Sequence, residues 1–221
     1  MPTEEERRTQ MIVKINQTIV ESGFVTLTMD QIAKIMGVSR GKLYQYFPSK
    51  EAVIKAVVTR YFKFMTQQTI PEVQTPAEYA TAFPQVFLEL VTLVASSSAA
   101  FRQDLQTMPE LAQEFTTRYT AWLKAVADFL AAGQKNQAFQ TTVVPALFLI
   151  QIEATVPALM DRNRLEQQRL FLNEVLPDYL KMMVSQVVAP EYQGQVQLTA
   201  VANQLQQLTA KYQQALLGGL L

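Results

Sequence analysis

The sequence predicts an all-α protein: an N-terminal helix-turn-helix domain followed by a larger C-terminal helical bundle, with about nine or ten helices in total. Apolar residues recur at spacings of three and four along most of the chain, which is the period of amphipathic helices, and strong strand alternation occurs nowhere. Residues 77–217 are rich in Ala, Leu, Gln and Glu, and glycine is nearly absent from them. Two short, capped segments around a glycine turn supply the helix-turn-helix pattern.

The composition excludes several classes of function. The chain has 221 residues, no Cys and no His, so thiolate and imidazole metal ligands and Ser-His or Cys-His catalytic pairs are excluded. A carboxylate-only or cofactor-dependent enzyme is the remaining enzymatic alternative, and the lack of clustered acids disfavours it. We therefore expect no enzyme, no cofactor and no metal site.

Hydropathy and charge predict a cytoplasmic protein with no membrane partner and a basic N-terminal part. Hydrophobic residues make up 49% of the chain, but there is no long uncharged apolar run, and the N-terminus MPTEEERR lacks the apolar segment of a signal peptide. The net charge is zero, yet residues 1–63 hold ten Lys and Arg against six Asp and Glu, whereas the rest holds nine against thirteen. The basic part contains the helix-turn-helix, which favours contact with DNA phosphates.

The first helix is expected over residues 4–22. Ile12, Ile15 and Ile19 form an apolar stripe along it, and Gly23 follows as its end. This stripe is expected to pack against the helix-turn-helix and to have no role beyond holding that motif.

Capping residues mark the two helices of the motif. Thr28 can cap the first helix while Gln31, three residues on, reaches back, and Gly37 suits the position that ends it. Ser39 then caps the second helix. Two capped helices around a glycine turn form a helix-turn-helix, whose second helix enters the DNA major groove.

The second helix has one inward and one outward face. Leu43 and Phe47 share the inward face, which leaves Gly41, Lys42 and Gln45 outward. Glycine is disfavoured inside a helix, so Gly41 is better explained by close approach of the backbone to DNA than by simple tolerance. We expect Lys42 and Gln45 to contact base edges, with Arg40 nearby. The full set of predicted DNA-binding residues is Thr28, Ser39, Arg40, Gly41, Lys42, Tyr44, Gln45, Tyr46 and Lys50.

The segment GVSRGKLYQYFPSKEAV resembles the signature of TetR-family transcriptional regulators, and the resemblance covers about residues 12–61. Departures from the family pattern are Asn16 and Gln17 in place of small alanines, Lys42 in place of threonine or alanine, and Tyr46 in place of histidine. The resemblance implies a homodimer that binds a double-stranded DNA operator. It also implies a small-molecule effector, of unknown identity, bound within residues 77–189.

A long fourth helix is expected to start near Ser49 and to leave the small domain. Lys50 in its first turn has the wrong sign for the helix dipole, which a docked phosphate would explain; the alternative is a surface lysine offset by Glu51. The sequence IPEVQTPA after it has two prolines and no periodicity, so it is expected to connect domains. The predicted organisation is a DNA-binding domain at 1–48, a linking helix at 49–69, and a ligand-binding and dimerisation domain at 70–221.

The C-terminal domain is expected to be entirely helical. Four prolines fall inside its apolar stretches, where they indicate either kinks or helix breaks: Pro84, Pro145, Pro157 and Pro177. The predicted helical segments are 77–97, 99–106, 109–133, 142–162, 165–189 and an amphipathic tail at 195–217.

Two C-terminal segments, 143–160 and 170–188, are more apolar than surface helices should be. The alternatives are buried core and a two-fold interface, and TetR-like proteins place a four-helix interface at the corresponding position. We expect the interface, with Leu149 and Leu180 among the residues whose change to Arg would disrupt it.

The effector site implied by the resemblance has only weak support in the residues themselves. The aromatic and methionine candidates have the spacing of core residues. Glu89 and Glu153 are lone acids in apolar runs. Each is expected either to anchor a cationic ligand or an interface hydrogen bond, or to point to solvent. The predicted function is a repressor released by a small molecule; the alternative is a DNA-binding regulator controlled by a protein partner. The predicted ligand-binding residues are Phe87, Glu89, Met108, Tyr119, Trp122, Phe148 and Glu153.

Overall fold

The structure, a computed structural model, describes residues 3–218, apart from the side chains of Arg162, Lys211 and residues 213–218. Within this part of the chain there are twelve α-helices, ten of which have seven or more residues, and no β-strand, which confirms the all-α prediction. The helices are α1 (Glu4–Ser22), α2 (Met29–Met36), α3 (Arg40–Tyr46), α4 (Lys50–Gln67), α5 (Pro76–Ala95), α6 (Ala99–Leu105), α7 (Pro109–Lys135), α8 (Pro145–Met160), α9 (Arg162–Gln167), α10 (Leu172–Val187), α11 (Pro190–Gln193) and α12 (Ala202–Gly218).

The chain divides into two compact units. The N-terminal unit comprises Met1–Gln67 and Ser96–Tyr119, and the C-terminal unit comprises Gln68–Ala95 and Thr120–Leu221. The first break follows α4. Helix α6 and the first part of α7 lie within residues 70–221, which were expected to form the C-terminal domain, but they pack with the N-terminal unit.

The N-terminal unit is held together by one apolar core. The predicted stripe of Ile12, Ile15 and Ile19 is buried, together with apolar side chains of α2, α3 and α4. A cluster of aromatic rings joins α4, α6 and α7: the Tyr61 ring centroid lies 5.8 Å from those of both Phe101 and Phe115. Helix α6 is thus packed against the same core that supports the helix-turn-helix.

The C-terminal unit packs α5 against α8 and α10, and α10 against α12. Aromatic side chains of α5 lie at its centre, with Phe83 and Phe87 nearly inaccessible to solvent. The tail helix, whose packing the sequence left open, covers one side of α10. It begins as a 3-10 turn over Leu198–Val201 and continues as α12.

The prediction of one helix over residues 165–189 is wrong, because this part of the chain is divided between α9 and α10. Asp161 caps α9 through the Arg164 backbone N–H, and Arg169 then adopts a φ of +54°, which ends the helix. The Leu170 N–H turns back to the Leu165 carbonyl, 2.9 Å away. Residues 165–172 contain no glycine or proline, so no residue of the usual helix-ending types marked the break.

The four prolines fall into two groups. Pro145 occupies the first turn of α8, where its missing N–H leaves no hydrogen bond unmade. Pro84, Pro157 and Pro177 lie within α5, α8 and α10 respectively. Three of the prolines are therefore accommodated inside continuous helices, and one starts a helix.

No single helix among the described residues is long and apolar enough to cross a bilayer. Helices α5 and α6 reach the length and apolar composition of a membrane span only if they are counted as one helix across the break between them.

Candidate nucleic-acid interface

Helix α2 is fixed at both ends as its capping residues predict. The Thr28 hydroxyl accepts a hydrogen bond from the Gln31 N–H at 3.3 Å, and the Gln31 side chain accepts one from the Thr28 N–H at 2.8 Å. Gly37 at the other end has a φ of +72°, and the Val38 N–H returns to the Ala33 carbonyl at 3.0 Å. The capping box and the glycine turn are both confirmed.

Helix α3 is short, and buried side chains hold it in place. The Ser39 hydroxyl accepts a hydrogen bond from the Lys42 N–H at 3.2 Å and so caps it. Leu43 and Phe47 are fully buried, as the helical spacing predicts. The Arg8 guanidinium of α1 lies 4.8 Å from the Phe47 ring centroid and covers the end of the helix.

The opposite face of α3 is open. Arg40, Gly41, Lys42 and Gln45 are all exposed. Among the described residues, no neighbouring side chain or other segment lies within 4 Å of the position that a Cβ of Gly41 would occupy. Packing within the protein therefore does not require a glycine there.

Two tyrosines lie under the two cations of α3. The Arg40 guanidinium lies 5.7 Å from the Tyr44 ring centroid, and the Lys42 ammonium lies 5.1 Å from that of Tyr46. The Tyr44 hydroxyl and the charge of Asp30 raise the pKa of Arg40. Such cation–π contacts restrict the side chains to the outer face of the helix.

Asp30 is a further member of this surface, and no motif in the sequence indicated it. Its carboxylate lies 3.1 Å from the Arg40 guanidinium, across the turn between α2 and α3. The two side chains are ten residues apart in the chain, so no helical spacing indicated the pair. An acid thus lies beside a cation predicted to contact DNA.

Lys50 lies at the start of α4 with its side chain partly exposed. Its ammonium donates a hydrogen bond to the Val25 carbonyl at 2.7 Å, so it is tied to the turn between α1 and α2. The neighbouring Glu51 is exposed. Hydrogen bonds from the Glu51 backbone N–H and the Ser49 hydroxyl lower the pKa of the Glu51 carboxyl. With Thr28 and Ser39 also exposed, the surface contains every residue predicted to bind DNA, of which Tyr46 and Lys50 are partly covered.

The residues predicted to bind a ligand are divided between the units. Met108 and Tyr119 belong to the N-terminal unit, where the Tyr119 ring stacks on Phe115 at 5.5 Å. Phe87 and Phe148 are buried in the C-terminal unit, and the Phe87 ring meets Tyr179 edge to face at 5.4 Å. The remaining three, Glu89, Trp122 and Glu153, also belong to the C-terminal unit.

The Glu89 carboxylate is half-buried and holds the segment that follows α4. It accepts hydrogen bonds from the Thr69 backbone N–H and from the Gln85 side-chain amide, both at 3.0 Å. Burial raises the pKa of Glu89, and these two donors oppose the shift. Glu153 on α8 is partly exposed.

Two buried donors in the C-terminal unit make no hydrogen bond of normal geometry among the described residues. They are the indole N–H of Trp122 and the hydroxyl of Tyr179. Burial raises the pKa of the Tyr179 hydroxyl, and the neighbouring Thr155 side chain opposes this shift by hydrogen bonding. Buried polar groups are nearly always paired, so the Trp122 indole N–H, which has no such neighbour in the described part of the chain, requires an explanation.

A cavity of about 380 Å³ opens between α10, the 3-10 turn and α12. Its lining is mainly apolar, with contributions from Pro177, Leu180, Leu198 and Leu205. None of the residues predicted to bind a ligand lines it. The described residues also contain no cluster of three or more acidic side chains that could hold a metal ion.

Large apolar side chains are exposed on α8 and near α10. On α8 and at its N-cap, Val144, Leu147 and Ile150 are 56%, 61% and 61% exposed and follow one another at intervals of three. In the segment 170–188, the exposed large apolar residues are Leu170, Phe171 and Met182. By contrast, Leu149 and Leu180 are buried within the C-terminal unit, so the expectation that these two side chains meet a partner is wrong.

Sequence comparison relates the helix-turn-helix to known regulators. The model of the tetR family of bacterial regulatory proteins matches residues 15–57. The chain is 25% identical over 152 residues to the HTH-type transcriptional regulator EthR of Mycolicibacterium smegmatis, covering 67% of this chain and 70% of that protein. It is 39% identical over 62 residues to the nucleoid occlusion factor SlmA of Haemophilus ducreyi, covering 28% of this chain and 31% of SlmA.

Structural comparison extends the similarity to most of the chain. The ketosteroid transcriptional regulator KstR2 of Mycobacterium tuberculosis superposes with a TM-score of 0.58 at 18% sequence identity. The match covers 84% of this chain and 97% of KstR2. At this identity the match shows a shared fold.

Proposed function

Because the chain is a TetR-family transcriptional regulator, we propose that it is a repressor that a small molecule releases from its operator. The observation that carries the DNA-binding part is the outer face of α3. There Lys42 and Gln45 are exposed, while the buried Leu43 holds the helix from behind. A regulator of chromosomal genes acts where the chromosome lies, so we place it in the cytoplasm.

We propose that the residues of this surface divide into two groups. Lys42 and Gln45 contact base edges in the major groove, with Arg40 beside them, because they lie on the outer face of the recognition helix. The hydroxyl and ammonium groups around them hold the phosphate backbone and position the helix. The second group comprises Thr28, Ser39, Tyr44, Tyr46 and Lys50, and the open backbone at Gly41 allows the strand to approach.

The functional molecule is proposed to be a homodimer that binds two half-sites of one operator. The exposed apolar side chains Val144, Leu147 and Ile150 support this, because such a row on one helix would be covered by a partner. Met182 extends the same type of surface to α10. Two recognition helices in a dimer must be about 34–36 Å apart to enter successive major grooves.

The effector is proposed to be a largely apolar molecule that carries an acceptor oxygen. The unpaired indole N–H of Trp122 supports this class, since an acceptor would remove the cost of burying it. Glu89 already accepts two hydrogen bonds from the protein, which leaves it less able to anchor a cation. Control by a protein partner remains the alternative.

Release is proposed to depend on α4 as a rigid link. Its Val53, Val57 and Phe62 are buried in the core of the N-terminal unit, so a movement of α4 would carry the DNA-binding helices with it. An effector that favours a spacing unsuited to DNA weakens operator binding. By reciprocity, DNA must weaken effector binding by the same factor, which is roughly 5–150-fold for typical coupling energies.

The DNA-binding proposal is tested by gel shift with the DNA flanking the gene, followed by a reporter fusion in cells with and without the regulator. We expect salt-sensitive, sequence-dependent binding and higher expression when the regulator is deleted. Lower expression on deletion would instead identify an activator, and no binding to any flanking DNA would remove the proposal.

The effector proposal is tested through Trp122, which is the single tryptophan of the chain. Apolar ketones and carboxylates are titrated while the indole emission is recorded, and the matched hydrocarbons serve as controls. We expect emission changes and release of DNA with oxygen-bearing compounds only. Equal responses to the hydrocarbons would contradict the acceptor requirement. Equal affinity for the free protein and the DNA complex would favour the protein-partner alternative.

A further inference from the structure

Asp104 binds the turn that leads into the helix-turn-helix. It lies in the last turn of α6, and its carboxylate accepts hydrogen bonds from the successive backbone N–H groups of Phe24 and Val25, the second at 2.7 Å. These groups belong to the turn between α1 and α2. A side chain about 80 residues away in sequence therefore holds the entrance to the DNA-binding motif.

Two features show that this contact is built into the fold. A carboxylate near the C-terminal end of a helix is disfavoured by the helix dipole, so the position of Asp104 needs compensation from outside α6. Gly23 has a φ of +79°, and a Cβ there would lie 2.5 Å from an Asp104 carboxylate oxygen. The turn can thus approach the carboxylate only because residue 23 is glycine.

The same turn holds Lys50. The Val25 N–H donates to Asp104, and the Val25 carbonyl accepts from the Lys50 ammonium at 2.7 Å. Both contacts are made by the backbone of one residue, so the carboxylate that fixes Val25 also fixes the position of the carbonyl that binds the ammonium. An ammonium has three N–H donors, and this contact leaves two of them for another acceptor.

Helix α6 gives Asp104 a fixed position. The Ser98 N–H that precedes the helix donates to the Val20 carbonyl of α1 at 3.0 Å. Phe101 is fully buried, with its ring centroid 6.4 Å from that of Phe24 and 5.8 Å from that of Tyr61. Contacts with α1 and α4 therefore hold α6, and with it the Asp104 carboxylate, in a fixed position. A residue that orients another needs such support.

We propose that Asp104 is a positioning residue for DNA binding, which acts through Val25 to hold the Lys50 ammonium where it meets a backbone phosphate. This proposal rests on the DNA-binding role of Lys50 proposed above. It assigns an acidic residue outside the helix-turn-helix a favourable effect on DNA affinity. Long-range electrostatics alone would give the opposite sign, since removing a negative charge strengthens binding to DNA.

The test compares Asp104→Asn with Glu110→Gln in the full-length protein. Both replace a carboxylate of the N-terminal unit by an amide of the same shape, and Glu110 is exposed at the start of α7. Dissociation constants for operator DNA are measured against salt concentration, and thermal unfolding verifies that each variant is folded. We expect Glu110→Gln to bind DNA equally or more tightly and Asp104→Asn to bind it more weakly, on the order of fivefold.

Lys50→Ala supplies the readout that a purely structural role would not change. Loss of one phosphate contact lowers the slope of log affinity against log salt by about 0.9. We expect Asp104→Asn to lower this slope as well, and to have little further effect on slope or affinity in the Lys50→Ala background. Should Asp104→Asn fail to fold, Asp104→Glu, which keeps the charge and displaces it, is expected to show the same loss of slope.

The outcomes separate this proposal from the proposed function. If Lys50→Ala weakens binding while Asp104→Asn behaves like Glu110→Gln, the positioning role is overturned and the DNA-binding assignment stands. An equal loss from Asp104→Asn with and without Lys50 would overturn the link through Lys50. Wild-type affinity in Lys50→Ala would overturn both the phosphate contact and the positioning role.

Discussion

The Arg40 guanidinium and the Asp30 carboxylate, 3.1 Å apart, form an ion pair on the surface proposed to bind DNA. Both side chains are mostly exposed, so the pair contributes little to stability. Its larger effect is on DNA, because Asp30 both occupies Arg40 and repels phosphate. We expect Asp30→Asn to strengthen binding to random DNA several-fold, with a change in the free energy of unfolding below about 0.5 kcal/mol.

The control for Asp30 is Asp128→Asn, which removes an exposed acid paired with Lys124 in the C-terminal unit. Fluorescence anisotropy with labelled random and operator DNA measures both variants. Weaker binding by Asp30→Asn than by Asp128→Asn would show that the ion pair helps to orient Arg40 for DNA.

Lys42 and Lys50 are expected to differ in what they contribute. Lys42→Ala removes a base contact, so its loss of affinity should depend on the base pair it faces, at about 1–3 kcal/mol for the preferred one. Lys50→Ala removes a phosphate contact and should weaken all sequences alike. Binding to a panel of operators with single base changes distinguishes the two, and identical profiles for both variants would refute the division.

Gly41 is expected to show opposite effects on stability and on DNA binding. The space around it is open and it lies in a helix, so Gly41→Ala should stabilise the free protein by about 0.5 kcal/mol. The added methyl group would obstruct a DNA strand at close approach and weaken binding. Urea denaturation and gel shifts measure the two effects, and unchanged DNA affinity would mean that the glycine is merely tolerated.

Leu147 is expected to contribute to the dimer interface. Leu147→Arg places a charge on the exposed row of α8 and should produce folded monomers, because the side chain is 61% exposed within one subunit. Leu180→Arg should instead unfold the C-terminal unit, since Leu180 is fully buried. Val13→Arg, at an exposed apolar residue of α1, serves as the control. Sedimentation of wild type as a monomer at micromolar concentration would remove the basis for this expectation.

Glu89 is expected to make stability depend on pH. Burial raises the pKa of Glu89 in the folded state, so folding favours the protonated carboxyl. The resulting contribution to the free energy of unfolding is fully present below the unfolded-state pKa and is lost as the pH rises through the folded-state pKa. The window therefore begins near the ordinary Glu pKa of about 4.3 and extends above it. Glu89→Gln, which keeps an acceptor for Thr69, should flatten the urea midpoint across this window. An unchanged pH profile would show that solvent screens the half-buried carboxylate.

Features that depend on neighbouring residues were accessible from the sequence. The Thr28 and Gln31 capping box, the Gly37 turn and the inward pair Leu43 and Phe47 all follow from contacts within a few residues, and all are present. The outward position of Lys42 follows from the same helical period. The break between α9 and α10 was not accessible, because no glycine or proline marks it.

The sequence alone therefore determined the fold class, the helix-turn-helix and the outer face of its second helix, since capping and helical periodicity act over three or four residues. Only the tertiary structure decided which apolar face of α8 is exposed and that Leu180 is buried. It also decided that Asp104 meets the turn at Val25 and that Asp30 meets Arg40. These relationships join residues that are 79 and 10 positions apart, and such contacts depend on how helices pack rather than on local spacing.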